Sequence, residues 1–427
     1  MFDNQPADRV LAAVDAAADE IVGFTADLIR VPTVNPPGEE YEACARLIGE
    51  RLAAFGFEVE YHPAEGRPEH TPAHPRINVV GLRRGRTLRP AVHVNGHLDV
   101  VPPGDGWTVD PFGGLVRDGR VYGRGACDMK GGLAAAMIAV EAVRRAGVEL
   151  AGTIELSATV DEEIGGWAGA ALLAARGLLT SKTVDFVIIP EPLGVDRICV
   201  GHRGVYWTRI SLHGHVAHGS MPFLGVSAVE AMGSVLEALR KDLAPRLASR
   251  RTSVPVVPEG ARQATFNVNA ISGGQVDHPV QTPCVADRCS IIVDRRFLLE
   301  EDFDRVREEL ASVVSQAIEG RDGIRHRIDE LLVVEPVRTP EDVPLVKALA
   351  AQIEGVTARP ATLVASPGTY DHKHVARIGG IEQCVAYGPG ILELAHQPDE
   401  WCGIDDLVTA SQIMALTLTE LVGVARS

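Results

Sequence analysis

The sequence predicts an α/β fold: a mainly parallel sheet with an α+β unit inserted into it. Three observations carry this. Apolar strand-like runs alternate with helix-like stretches in the first two hundred residues, the pattern of a parallel sheet covered by helices. Imidazoles or carboxylates follow several of those runs, and strand ends are where open α/β sheets bind ligands. After about residue 204 the pattern changes to alternating strands and two helices in β-α-β-β-α-β order, a ferredoxin-like arrangement, until about 335. The expected organisation is a larger α/β domain in two parts, 1–204 and 336–427, around an inserted α+β domain at 205–335.

In chain order, residues 8–30 read as one amphipathic helix, with Val10, Val14, Ala17, Ile21, Phe24 and Leu28 near helical spacing. The Val-Asn-Pro-Pro-Gly turn at 34–38 stops it, and a second helix is expected over 39–55. Strands follow at 58–61 and 77–82. The run 91–95 leads into His97 and Asp99. A glycine-rich loop carries Asp128 just before an apolar helix at 133–143. The strand 153–160 leads to Asp161-Glu162-Glu163, and a small-residue helix is expected at 167–176. The strand 184–189 delivers Glu191 between two prolines. In the insert, strands are expected at 206–213, 264–271, 288–295 and 325–334, with helices at 227–239 and 300–319. The chain then returns to α/β material: a helix at 343–353, a loop at 366–373, a strand at 381–387 and a last helix at 405–425.

Composition narrows the function. With 427 residues the chain exceeds one ordinary core. A net charge of −16 and no long basic run argue against nucleic acid or an anionic membrane as partner. No apolar run is long enough for a membrane span. The start lacks the pattern of a signal peptide, and seven cysteines without regular spacing indicate a reducing, cytoplasmic setting rather than a disulfide framework.

Each chemical segment is weak alone. His97-Leu-Asp99 could be a ligand with its orienting carboxylate, or a surface pair. Glu162-Glu163 could be a solvated turn, but adjacent carboxylates repel and often need a cation or a proton. Glu191 closes an apolar strand, where a carboxylate is either paired or a ligand. His396 lies in a polar loop. Together, His97, Asp128, Glu163, Glu191 and His396 give two imidazoles and three carboxylates. That mixture suits zinc, or manganese or cobalt. A bridging Asp with one His and one Glu per ion makes a two-metal site, and Glu162 is placed to take a proton from metal-activated water.

These segments, Gly96-His97-Leu-Asp99-Val-Val-Pro-Pro, Gly123-Arg-Gly-Ala-Cys-Asp128-Met-Lys-Gly-Gly, Asp161-Glu162-Glu163, Pro190-Glu191-Pro192 and His396, resemble the metal-dependent aminoacylase and carboxypeptidase family. It includes acetylornithine deacetylase, succinyl-diaminopimelate desuccinylase and carboxypeptidase G. The resemblance implies that His97 and Glu191 bind one ion, Glu163 and His396 the other, and that Asp128 bridges. It implies Glu162 as general base, Asp99 as the group orienting His97, and a cis peptide at Asp128-Met129. It makes the two-part α/β domain the catalytic one and the 205–335 insert a lid/dimerisation domain, in which it points to His218 as the oxyanion-stabilising histidine that reaches a partner subunit. It points to Arg296 as the holder of a substrate carboxylate, with Arg295 the structural alternative. Gly368-Thr-Tyr370-Asp371 resembles a substrate-side loop. A homodimer acting on a small-molecule carboxylate is implied. The stretch from His278 to Asp287 departs from the family pattern, lacking the asparagine that relatives place there.

The expected activity is hydrolysis of the amide C–N bond of a small N-acyl amino acid, of deacylase or desuccinylase type. The alternative is another C–N bond: a ureido group, or hydrolytic deamination of an amino-substituted aromatic acid. A dinucleotide loop at Gly123-x-Gly125 is rejected because Asp128 would repel a pyrophosphate, and no GxSxG or Walker sequence is present. A non-catalytic binding protein on an old enzyme fold would be expected to lack the base or a ligand; here all are present.

Overall fold

The computed structural model describes residues 6–274 and 283–425. The chain divides into two compact units: Met1–Gly201 with Thr339–Val364 and Tyr370–Ser427, and His202–Arg338 with Ala365–Thr369.

The first unit is built on a mixed sheet whose centre is parallel. Strand Thr153–Thr159 pairs parallel with Ala91–His97, which pairs parallel with Phe186–Ile189, which pairs parallel with Cys384–Ala386. Antiparallel strands flank this centre: Ile77–Arg83 and Glu58–Pro63 beyond Thr153–Thr159, and Arg197–His202 beyond Cys384–Ala386. The strand Ala91–His97 is buried at every position, as its place between two parallel neighbours requires.

Helix Lys130–Arg145 is buried at every position from Lys130 to Val143, with only Lys130 and Glu141 charged there, so it sits inside the unit rather than on its surface. It packs against Ala18–Ile29 and the last helix, Ile404–Val422. Its glycines allow the approach. A Cβ on Gly132 would lie 1.9 Å from the Pro190 carbonyl oxygen, so only glycine lets this helix start beside the turn that carries Glu191.

The expected single helix over 8–30 is two, Pro6–Asp15 and Ala18–Ile29. The break is invisible to periodicity because Ala17 at the joint is itself buried and continues the apolar stripe. Two further elements escaped the sequence. Arg197–His202 is a strand, and the loop expected at 366–373 contains the start of a helix, His372–Arg377. A small three-stranded sheet, Leu115–Arg117, Arg120–Tyr122 and Trp401–Gly403, joins residues nearly three hundred positions apart, pairing Tyr122 with Trp401.

The second unit is an antiparallel four-stranded sheet in the order Thr265–Gly273, Arg288–Phe297, Gly204–His213, Arg325–Val334. Alternate residues of its central strands turn inward: Tyr206, Ile210 and Leu212 from one, Cys289, Ile291, Val293 and Phe297 from the other. Helices Ala228–Ala238 and Phe303–Ala317 supply Met232, Val235, Val306, Leu310 and Val314 to the same core. Both helices are N-capped, by Ser227 and Asp302 accepting from the N–H groups of Glu230 and Arg305. Of the atypical 278–287 stretch, residues 278–282 lie outside the described residues.

Candidate metal centre

Three adjacent parallel strands end at one edge, and each brings a functional group there. His97 closes its strand opposite Thr159, two residues before Asp161-Glu162-Glu163. Val94 pairs with Ile188, so the neighbouring strand runs out at Pro190-Glu191 on the same side. Asp128 arrives from the glycine-rich loop, in which Gly125 has φ +90°, a conformation glycine adopts freely. The Asp128-Met129 peptide is cis.

Two donor sets result: His97, Asp128 and Glu191, and Asp128, Glu163 and His396, with the ligand atoms of each set within 4.8 Å of one another. Asp128 belongs to both, and its two oxygens divide between them. Oδ1 lies 3.0 Å from His97 Nε2, and Oδ2 3.4 Å from His396 Nε2. His396 Nε2 is also 3.2 Å from Glu163. Ligand bonds of about 2.0–2.2 Å put donors on one ion roughly 3–4 Å apart, so both sets are near ligating spacing.

The electrostatics fit cations. Burial pushes the Glu191 carboxyl well above its ordinary range, and the Asp128 charge adds to this, while His97 opposes it. Burial alone would raise Asp128 as well, but the hydrogen bonds from His396 and His97 hold it well below the usual carboxylate range. His396 is raised in turn to about 10 by its bonds to Asp128 and Glu163. Burial favours neutral His97, yet its bond to Asp128 and the charges of Asp99, Asp128 and Glu191 outweigh that and raise it. Crowded carboxylates sharing two imidazoles carry surplus negative charge, which divalent ions would neutralise. His97 Nδ1 faces the Asp99 carbonyl oxygen at 2.9 Å; donating there leaves Nε2 free to bind a metal.

Asp99 does more than the expected orienting. Its carboxylate is 3.6 Å from His97 Nδ1, but its oxygens accept the backbone N–H groups of Glu162 and Glu163, each at 3.2 Å, and the Asn35 amide at 3.1 Å. It therefore holds the turn that carries Glu162. Burial pushes Asp99 up to about 7, His97 pulling it back and Glu163 adding to the rise. Asp161, at φ +61° at the head of that turn, accepts from Asn35, Tyr41 and Arg76. Glu162 is nearly buried, 3.5 Å from the Lys373 ammonium. Burial pushes its carboxyl up to about 8, against the pull of Lys373 and His97, and a nearby divalent ion would draw it down further.

Several of these supports were missed in the sequence: Asn35, Arg76 and Lys373. Asn35 stood in the 34–38 turn, which was read only as a helix stop. Lys373 stood unremarked in the loop expected at 366–373.

The remaining expected residues fall elsewhere. Tyr370 is 4% exposed, and its hydroxyl lies 3.4 Å from the Cys199 carbonyl oxygen and from His372 Nδ1, so its ring packs in the interior. In the second unit Arg295 is the structural arginine, 2% exposed and 2.7 Å from Glu301. Arg296 is more open and is paired with Asp294 at 2.8 Å. His218 is exposed, and its Nδ1 accepts from Ser220 N at 3.2 Å and meets Ser220 Oγ at 2.7 Å, which leaves Nε2 to carry the ring proton.

Fold and donor sets together define a metal-dependent hydrolase of amide C–N bonds. Residues 93–420 match the profile of Peptidase family M20/M25/M40, and the chain belongs to that family. It is similar to the succinyl-diaminopimelate desuccinylase of Gluconacetobacter diazotrophicus, 29% identical over 416 residues covering 96% of this chain and 99% of the relative. The desuccinylase of Leptothrix cholodnii is 31% identical over 403 residues, covering 92% and 96%. Among solved structures, the dipeptidase Dug1p of Saccharomyces cerevisiae shares the fold at TM-score 0.74 and 17% identity, covering 97% and 98%. Human carnosine dipeptidase 1 does so at 0.73 and 18%, covering 97% and 98%. A Bacillus subtilis family member described as a dinuclear metal-binding peptidase aligns at 0.68 and 18%, covering 95% and 99%. No helix among the described residues is long and apolar enough to cross a membrane.

Proposed function

We propose that this protein hydrolyses the amide of a small N-acyl amino acid, with an acyl group of acetyl or succinyl size, using two divalent ions. The observation that carries the reading is the pair of donor sets sharing Asp128, with Glu162 beside them. His97 and Glu191 complete one set, Glu163 and His396 the other. When bound, the ions would polarise the scissile carbonyl and lower the pKa of a water held between them. Glu162 takes the proton of the attacking water and passes it to the leaving amine nitrogen, a shuttle that suits a carboxyl raised by burial and restrained by Lys373. Asp99 fixes where that carboxylate stands by gripping the backbone of its turn.

His218, with Nε2 carrying the proton, is suited to donate to the developing oxyanion, acting across a homodimer. Arg296 is the proposed anchor of the substrate carboxylate, exchanging Asp294 for it. The desuccinylase relatives make N-succinyl amino acids the first substrates to try. All seven cysteines are free, which supports action in a reducing, cytoplasmic compartment.

The test is product analysis. Protein loaded with zinc, and separately with manganese, is given N-succinyl and N-acetyl amino acids and dipeptides, with mass spectrometry and an ammonia assay as readouts. Release of the acid and the free amino acid is expected. Release of ammonia, or no turnover by metal-loaded protein, would overturn the amide reading.

A further inference from the structure

A buried ion pair next to the centre has no place in the chemistry above. Glu400 is fully buried, and its Oε1 accepts three backbone N–H groups of the glycine-rich loop: Gly125 at 3.1 Å, Cys127 at 2.8 Å and Asp128 itself at 3.1 Å. Its Oε2 meets Arg124 Nη1 at 2.6 Å. Arg124, 1% exposed, reaches back from the same loop to the segment that carries Glu400. It donates to the carbonyl oxygens of His396 and Gln397, each at 3.2 Å, and to that of Pro103 at 3.0 Å. The strand pairing of Tyr122 with Trp401 brings the two segments side by side. His396 needs this help: it stands at φ +64° and its side chain is nearly half exposed, so packing alone does little to fix it.

We propose that the Arg124–Glu400 pair is a positioning unit that sets the distance between Asp128 and His396, and so decides how tightly the Asp128–Glu163–His396 set holds its ion. The His97–Asp128–Glu191 set gains less from the pair. His97 and Glu191 end strands of the central sheet, and only Asp128 is shared. The unit thus acts unequally on two sites that share a ligand. Charge-assisted bonds are the strong kind, and a carboxylate accepting three N–H groups in the interior is costly to replace. Groups that orient ligands typically change metal affinity about 10–100-fold when removed.

The inference rests on the two-ion reading, and the experiment separates the two. The full chain is stripped with a chelator and titrated with cobalt(II), followed by calorimetry and visible absorption, for wild type, Glu400→Gln, Arg124→Lys, His396→Ala and His97→Ala. Wild type is expected to take two ions. Glu400→Gln keeps an acceptor and the side-chain volume; one ion should weaken about 10–100-fold, and the ion retained should have the absorption spectrum of the His396→Ala protein. Arg124→Lys, which loses the carbonyl contacts but keeps a cation for Glu400, should move the same ion in the same direction and stands in if the first variant does not fold. A pair that only supports the fold would lower the melting temperature and leave both affinities as in wild type, which overturns the inference. A retained ion with the absorption spectrum of the His97→Ala protein would also overturn it. A wild type that takes only one ion would instead refute the two-ion reading.

Discussion

The two units handle charge in opposite ways. In the first, charged groups are taken inside and each is surrounded by named partners: Asp161 by Asn35, Tyr41 and Arg76, Asp99 by two backbone N–H groups and Asn35, Glu400 by three N–H groups and Arg124. In the second, the inner face of the sheet is almost wholly apolar apart from Arg295, which is buried against Glu301, and most charge collects at the margin, as where Arg250 meets Glu301 and Glu309 at 2.9 and 2.7 Å with its own side chain 37% exposed. Interior charge is expensive unless every polar atom is satisfied, so it persists where it serves chemistry. The margin of the second unit needs no such arrangement.

This contrast can be broken by substitution. The largest effect is expected at the proton shuttle. Glu162→Gln should lower kcat by about 10²–10⁴-fold while metal content, read by atomic emission, stays at the wild-type level. Retained turnover would sink the assignment of Glu162 as base. Next comes the burial of charge itself. Arg76→Ala leaves Asp161 without its cation in the interior, and should destabilise the first unit by about 3–5 kcal/mol in a urea titration. A change below about 1 kcal/mol would show that Asn35 and Tyr41 suffice.

The pH dependence sharpens the same point. Burial pushes His372 down to about 3, and burial, helped by the Lys373 charge, pushes His374 down to about 4. Unfolded histidine titrates near ~6.5, so below that value the unfolded chain binds protons that the folded chain refuses. The stability these neutral rings contribute is complete above that pH. It is lost as pH falls from about 6.5 toward 4, with a slope of about 1.4 kcal/mol per pH unit for each ring. His374→Gln should flatten the urea midpoint against pH in that window; an unchanged slope would contradict the burial of a neutral ring there. The smallest effect is expected in the second unit. Arg250→Ala removes two ion pairs at a partly exposed arginine, while Glu301 keeps Arg295, and should cost only about 1 kcal/mol, an effect that shrinks in high salt.

Legibility followed the same division. The second unit was readable because its strands alternate: Ile210 and Leu212 turn inward between Arg209, Ser211 and His213, and their order with the two helices gives the topology. In the first unit the continuous apolar runs disclosed the parallel strands and the residues at their ends. Where apolar spacing ran on through Ala17, it concealed a break between two helices. The burial of Tyr370 was not legible either, because the neighbours that draw its hydroxyl inward include Cys199, 171 positions away.

By itself the sequence determined the fold class, the two kinds of unit and the five candidate ligands with Glu162. Those depend on local pattern: period, strand ends, and residue types whose chemistry is legible one at a time. Only the tertiary structure decided which groups hold those residues in place. Asn35 lies 126 positions from Asp161, and Glu400 lies 272 from Asp128. A hydrogen bond made across such a span depends on where the sheet and the glycine-rich loop bring two backbones together, and nothing in the local pattern of either segment records the other.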